Sequence, residues 1–219
     1  MAYRVREGLH WCRCSGRILF LDLVEDRYSC LPRTLDSAFL RLSSGATDAA
    51  DLAALRPLAA AGLLVEDTAP PATPVTIPPA IGDHCAEPGL SAAADVIAAI
   101  ASQLRWALVL RLRPLGQIAR SLERCAGRFE APACDPDHVI GRFASAFAAA
   151  SLLLPVHDRC LVRALAFRSL CVRRGVRPQL VFGVRLNPFH AHCWVQLDRR
   201  VLIGDFEQVR LFTPIAVVG

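Results

Sequence analysis

Apolar and polar positions alternate near the amino end of the chain, and a helical period replaces this alternation further along. Turn residues at Ser15-Gly16 and Glu25-Asp26 separate short apolar runs, and Gly62 is placed to end the helical part. This pattern predicts strands over 9–14, 17–23 and 27–32, followed by helices over 34–44 and 48–61.

The middle of the chain has a helical pattern throughout. Asp135 followed by Pro136 is typical of a helix start, because a carboxylate caps the free N–H groups and proline fits the first helical position. The apolar run 143–156 is too short to cross a membrane and is flanked by Arg142 and His157, so we expect a buried core helix and no membrane span. Helices are predicted over 91–113, 115–126 and 136–154.

Proline interrupts the pattern between residues 68 and 89. The stretches Ala-Pro-Pro-Ala-Thr-Pro and Ile-Pro-Pro-Ala cannot continue a helix or a central strand, and proline-rich segments act as semi-rigid spacers. We therefore predict three regions: a first domain at 1–67, a linker at 68–89 and a second domain at 90–219.

The last part of the chain begins with one helix and continues as strands. Good helix formers run from His157 to Arg174, with Asp158 placed to cap the helix and Gly175 to end it. A small antiparallel meander is predicted after it, with strands over 179–186, 190–197 and 201–206.

Cys160 falls in the first turn of that helix. There the unpaired backbone N–H groups and the positive end of the helix dipole favour the thiolate, which is the nucleophilic form of cysteine. Cys171, in the middle of the same helix, receives no such help. The position therefore predicts a reactive thiol at residue 160.

A histidine and an aspartate follow in the order that a thiol nucleophile needs. His192 and Trp194 share one face of the second strand, and this face can turn toward the cysteine helix. Asp205 is expected on the neighbouring strand, where its carboxylate would accept a hydrogen bond from the imidazole and orient it. Asp198 competes for this third role, but it falls in a turn where water would solvate it, so Asp205 is preferred.

These residues lie in a pattern that resembles a known family. Cys-Leu-x-Arg-Ala-Leu on a helix, then His-x-Trp-Val, then an Asp that closes a hydrophobic strand, is similar to the transglutaminase-like cysteine protease domain of lasso peptide biosynthesis B proteins. The resemblance covers residues 136–219 closely. It implies a catalytic triad of Cys160, His192 and Asp205, with Trp194 as a wall of the substrate cleft.

The first domain resembles a second family. The run Leu-Asp-x-x-x-Asp-Arg-Tyr-x-x-Leu, from Leu21 to Leu31, is similar to PqqD-like leader-recognition domains, which are fused ahead of the protease in some lasso B proteins. The resemblance implies a winged-helix fold that binds a leader peptide by strand addition. The residues implied to contact the leader are Tyr28, Ser29, Cys30 and Leu31.

Together the two resemblances imply an α+β protein with a leader-binding domain and a papain-like peptidase domain. The expected function is removal of the leader from a ribosomally made lasso peptide precursor, which frees the amine for ring closure by an asparagine synthetase-like, ATP-using lasso cyclase. Two alternatives stay open. The site could perform transglutaminase-like acyl transfer or deamidation, or the chain could be a leader-binding adaptor without activity.

The composition excludes some kinds of chemistry and of binding. The formal net charge is +5, and all 25 basic residues are arginine, so lysine Schiff-base chemistry and a GxxxxGK[ST] phosphate loop are excluded. We therefore expect no cofactor, and any ATP requirement would belong to the cyclase. No clustered basic and aromatic face indicates nucleic acid binding.

The chain has nine cysteines, whose spacing forms no disulfide framework. Residues 1–8 have no apolar core like that of a signal peptide, so we expect a reducing, cytoplasmic setting. His10 with Cys12 and Cys14, or His190 with His192 and Cys193, could be offered as metal ligands, but neither set has the paired spacing of a zinc site, and no metal is expected.

Overall fold

The structure, a computed structural model, describes residues 2–67, 74–83, 92–125, 135–154 and 159–219. The strands are β1 (Ala2–Val5), β2 (Leu9–Cys14), β3 (Arg17–Asp22), β4 (Arg27–Cys30), β5 (Leu64–Asp67), β6 (Gly82–Asp83), β7 (Gln179–Arg185), β8 (His190–Leu197), β9 (Arg200–Ile203) and β10 (Thr213–Val218). The helices are α1 (Arg33–Ser43), α2 (Ala49–Ala60), α3 (Ala93–Leu112), α4 (Leu115–Cys125), α5 (Pro136–Ser151), α6 (Cys160–Val172) and α7 (Phe206–Val209). The described chain is thus a mixture of helices and strands, as predicted.

The amino-terminal region contains the predicted three-stranded antiparallel sheet, in the order β2-β3-β4. The two predicted helices follow it, and α2 opens with a capping box in which Asp48 and Asp51 each accept from the other's backbone N–H. The structure adds a separate antiparallel pair, β1 with β5, that the pattern did not predict. Each of these strands is only four residues long and carries charged residues, so no apolar alternation marks it.

The two faces of the β2-β3-β4 sheet are buried against different partners. Ile18 and Phe20 on β3 pack with α1 and α2, where Leu55 is also fully buried. Leu19 and Leu21, on the opposite face, belong to the same hydrophobic cluster as the helices and strands of the carboxyl-terminal region. The first region therefore shares one core with the second.

Helix α3 packs against α5 and α6. Asp95 and Arg142 join α3 to α5 through two hydrogen bonds of 2.6 Å, and Trp106 Nε1 donates to Ser169 Oγ on α6 at 3.1 Å. Among the described helices, α3 has the length and mean hydropathy of a membrane span. This criterion is weak evidence, since core helices of soluble proteins also meet it.

The carboxyl-terminal sheet has the strand order β10-β7-β8-β9-β6. All neighbouring strands are antiparallel except β6, which comes from the predicted linker and pairs in parallel with β9. Strand β6, in the described part of the predicted linker, therefore belongs to the carboxyl-terminal sheet. A spacer that separates two domains was predicted for 68–89, but the shared core and strand β6 hold the two regions in direct contact.

Two predicted boundaries near the site differ from the structure. Strand β9 ends at Ile203, because Gly204 adopts a φ of 132° that an extended strand does not continue through. Arg159 occupies the N-cap position of α6 without a side-chain capping bond, whereas Asp158, the predicted cap, lies outside the described residues. Cys160 is accordingly the first helical residue.

Candidate active site

Cys160 lines a cavity of about 910 Å³ between the start of α6 and the edge of the sheet formed by β8 and β9. Its side chain is half-buried. His192 and Asp205 line the same cavity, so the structure brings the three predicted catalytic residues to one place. Trp194 is not among the residues that line it.

The sulfur of Cys160 accepts hydrogen bonds from two residues of β8. The thiol of Cys193 donates one, the imidazole of His192 a second and the backbone N–H of Cys193 a third, and these interactions outweigh burial and lower the pKa of the Cys160 thiol to about 4. Its position at the first residue of α6 adds the positive end of the helix dipole. These contacts therefore favour the thiolate of Cys160 over the thiol.

Cys193 is a part of the site that the sequence pattern missed. Its side chain is only 4% exposed, and the neighbouring thiolate together with burial raises its pKa well above the ordinary value. The proton shared by the two sulfurs consequently stays on Cys193. Alternation along β8 places this residue on the face opposite His192, so the pattern offered no reason to expect both beside one sulfur.

His192 is held between two aromatic rings. Its ring centroid lies 6.3 Å from that of Trp194, with the planes 21° apart, and 5.3 Å from that of Phe212. Its Nε2 atom is buried and has no hydrogen-bond partner among the described residues. The imidazole nevertheless lies close enough to the Cys160 sulfur to lower the pKa of that thiol.

Asp205 does not lie on a strand, and the prediction that placed it there was wrong. Because Gly204 ends the sheet pairing, Asp205 instead caps α7, and its Oδ1 accepts from the backbone N–H of Glu207 at 2.9 Å. The side chain is exposed on the cavity, and the described contacts include no hydrogen bond between it and His192. Asp198 lies in the β8–β9 turn, as expected, with a φ of 51°.

Trp194 was expected to form a wall of the cleft, and the structure corrects this. The side chain is 2% exposed and packs over Gly183 on the neighbouring strand, where an added Cβ would come within 2.6 Å of the indole. Its Nε1 donates to Gln196 Oε1 at 3.1 Å, which satisfies its polar atom inside the protein. Trp194 is therefore a core residue whose ring stacks against that of His192.

The predicted leader-binding strand lies beside the cavity. The ring of Tyr28 contacts that of Phe189 at 5.5 Å, and the pKa of its hydroxyl is raised by burial and then by Cys193, Asp26 and Cys160. Ser29 and Cys30 are exposed. Leu31 is 1% exposed and packs inside the first region, so its predicted contact with a leader is corrected to a core position.

The described residues contain no group of three or more His, Cys, Asp or Glu side chains arranged to hold a metal ion. His10 is half-buried, and burial lowers its pKa, while the neighbouring Cys12 has its pKa raised to about 12 by burial and by Cys14.

A family model described as the transglutaminase-like superfamily matches residues 99–217. The matched segment contains Cys160, His192 and Asp205, and it leaves the β2-β3-β4 sheet outside. No curated protein and no solved structure matches the chain.

Proposed function

The chain belongs to the transglutaminase-like superfamily, and on this basis we propose that it is a cysteine peptidase that removes the leader of a lasso peptide precursor. Membership in the superfamily fits a cysteine-protease-like or an acyltransferase-like role. The observation that carries the proposal is the Cys160 sulfur, which accepts hydrogen bonds from His192 and Cys193 and has a pKa of about 4. A thiolate next to an imidazole is the pair that attacks a carbonyl and then protonates the leaving group.

In the proposed reaction, the Cys160 thiolate attacks the carbonyl carbon of the last leader residue. His192 gives a proton to the departing amine, and the leader remains as a thioester on Cys160. Water then attacks the thioester carbonyl, His192 takes a proton from it, and the leader leaves as a carboxylic acid. The backbone N–H of Cys160, at the start of α6, supports the oxyanion.

Asp205 is proposed to orient His192 during this cycle. Nε2 of His192 needs an acceptor when the ring carries its second proton, and its buried N–H has none among the described residues of the free protein. Asp205 lines the same cavity and holds only an exposed capping bond. A rotation of this side chain toward His192 when substrate fills the cavity would complete a Cys-His-Asp triad.

Leader recognition is proposed for β4. This strand pairs only with β3 in the described sheet, so its other edge is available for strand addition. Tyr28 on this strand contacts Phe189, which lies next to His190 on the rim of the cavity. A leader bound along β4 would therefore place its carboxyl end close to Cys160. The freed core amine would then pass to an ATP-using lasso cyclase.

The test is incubation of the purified protein with the precursor peptide encoded beside its gene, followed by mass spectrometry. We expect two fragments that sum to the precursor plus one water. Cys160→Ala should abolish cleavage while binding of the labelled leader, measured by fluorescence anisotropy, is retained. Cys171→Ala is the matched control, because this thiol lies in the same helix and burial raises its pKa to about 12.

Two other results would contradict the peptidase assignment. Transglutaminase-like acyl transfer or deamidation, which superfamily membership also fits, would change the precursor mass without loss of the leader. Processing by a cyclase mixture that Cys160→Ala leaves unchanged would identify a leader-binding adaptor.

A further inference from the structure

Three arginines, Arg159, Arg163 and Arg185, line the cavity around Cys160. Within the described part of the chain, none of them forms an ion pair with a carboxylate. Seven arginines elsewhere in the described chain do pair with carboxylates, as Arg142 does with Asp95. The cavity therefore has an excess of positive charge that the described carboxylates do not neutralise by contact.

Arg163 lies on the cysteine side of the site. It follows Cys160 by three residues on α6, which places both side chains on the same face of the helix. The side chain is half-buried, and the pKa of its guanidinium is lowered because burial removes water from the charge. A partly desolvated cation that pairs with no described carboxylate is costly, and a carboxylate entering the cavity would relieve that cost.

Arg185 lies on the histidine side. Its guanidinium carbon is 5.4 Å from the centroid of the Phe212 ring, and that ring in turn packs against His192. The Nε atom of Arg185 is buried and has no hydrogen-bond partner among the described residues. An N–H group that is buried beside a large cavity and makes no bond within the protein is available to a ligand.

We propose that Arg163 and Arg185 form an anion-binding subsite that takes an Asp or Glu side chain of the peptide substrate next to the bond that reacts. Arg163 follows Cys160 on α6, and Arg185 packs on the Phe212 ring that contacts His192, so an acid bound between the two arginines in this cavity would lie next to the reacting pair. Guanidinium groups bind carboxylates through paired N–H donors, which gives both charge and direction. The peptide substrate in this inference rests on the proposed function, whereas the subsite itself does not.

The subsite can be tested without any substrate by alkylating Cys160. Iodoacetate and iodoacetamide are close in size and react by the same displacement of iodide by the thiolate, but only iodoacetate carries a carboxylate. We expect the ratio of the iodoacetate rate to the iodoacetamide rate to exceed that of free N-acetylcysteine by about tenfold or more, as attraction at close range in a partly buried site allows. Mass spectrometry of peptide fragments confirms that Cys160 is the residue modified.

Arg163→Gln and Arg185→Gln should each lower this ratio by about threefold or more, and the double variant should lower it further. The iodoacetamide rate of each variant corrects for any change in the thiolate itself. Arg113→Gln, which removes the same charge from an exposed turn outside this cavity, should leave the ratio as in the unmodified protein. A ratio that neither Arg163→Gln nor Arg185→Gln changes would overturn the proposal.

A second measurement separates the subsite from the proposed function. Precursor peptides with Asp, or with the isosteric Asn, at each position next to the cleaved bond should differ in kcat/KM at one position, and Arg163→Gln should reduce that difference. An alkylation ratio that depends on both arginines, with no peptide cleaved, would keep the subsite and reject the peptidase. Cleavage without any preference for Asp, together with an alkylation ratio that neither arginine substitution changes, would keep the peptidase and reject the subsite.

Discussion

Cys193 and Cys160 form a pair of sulfurs in which one keeps the proton and the other the charge. Three donors converge on Cys160, and two of them belong to Cys193: its thiol and its backbone N–H. Cys193 itself is buried and faces the thiolate, so its own ionisation is opposed by both burial and charge. The nucleophile is therefore stabilised by a neutral neighbour as well as by the imidazole.

This arrangement predicts opposite outcomes for two substitutions. Cys193→Ala removes the thiol donor, so the pKa of Cys160 should rise from about 4 toward its ordinary value. The iodoacetamide rate, which follows the thiolate, should then begin to fall at a higher pH as the solution is acidified. Cys193→Ser keeps a donor at the same place and should retain the low inflection. An inflection that Cys193→Ala leaves unmoved would show that the thiol of Cys193 does not contribute to the low pKa of Cys160.

The substitution Asp205→Asn tests whether this third member of the proposed triad acts on His192. Asparagine is as good an N-cap as aspartate, so Asp205→Asn should preserve α7 and the thermal midpoint. It removes the charge that would orient and stabilise the imidazolium, and we expect kcat for leader removal to fall by about tenfold or more.

Asp83→Asn is the matched control for Asp205→Asn. Asp83 Oδ1 accepts from Phe206 N at 2.9 Å, at the same helix start, but this residue does not line the cavity. It should leave kcat unchanged. Equal activity of the two variants would exclude Asp205 from the chemistry.

The residue types of the site could be predicted from the sequence, but some contacts could not. Cys160 at a helix start and His192 beside a tryptophan follow from local pattern alone. The role of Cys193 depends on how α6 approaches β8, and the position of Asp205 depends on where Gly204 ends the strand. These are tertiary and backbone effects that neither periodicity nor spacing contains.

At the scale of elements, the position of His192 on β8 depends on a glycine of the neighbouring strand β7. Gly183 pairs directly with His192, and Trp194 and Phe212 fill the space beside it. In Gly183→Ala the new Cβ would lie 2.6 Å from the indole, so the ring that supports His192 must move. We expect a loss of about 1–3 kcal/mol in the free energy of unfolding, measured in urea, and reduced cleavage.

Gly82→Ala provides the comparison for Gly183→Ala. Gly82 also lies in a strand of this sheet, and an added Cβ there would meet no atom within 4 Å. It should change neither stability nor cleavage by a comparable amount. Equal effects of the two substitutions would contradict the steric argument.

The open edge of β4 has a register that makes its leader role testable. Leu31 N donates to Ile18 O at 2.9 Å, and Ser29 pairs with Phe20 two residues earlier. Since the bonds of an antiparallel pair alternate, Ser29 points its N–H to β3 and Cys30 points its N–H outward. Cys30→Pro should therefore weaken leader binding in an anisotropy titration, because proline cannot donate, while Cys30→Ala should not. Equal binding by both would place the leader elsewhere.

At the scale of the whole molecule, one hydrophobic cluster joins the β2-β3-β4 sheet to the helices and strands of the carboxyl-terminal region. The sequence indicated two domains because proline and alanine interrupt the pattern after residue 67. The pattern could not predict which face of β3 packs against which helices. A strand that is buried on both sides lacks alternation, and residues 18–21 are all apolar. Strand β6, which lies in the segment predicted as a linker, could not be predicted, since Gly82 and Asp83 carry no strand signal.

The shared core predicts that the two regions unfold together. Leu55 is fully buried in the first region, in a cluster that does not include α3, α5 or α6, and Leu55→Ala should cost about 2–5 kcal/mol in the free energy of unfolding. Thiol labelling in urea reports on Cys12 in β2 and on Cys171 in α6, both of which are buried. We expect labelling of both cysteines to have the same urea midpoint, and Leu55→Ala to lower both midpoints equally. Leu152→Ala is the control and should shift neither midpoint, because this side chain is 87% exposed. A shift confined to Cys12 would mean that the first region folds on its own and would contradict the prediction that the two regions unfold together.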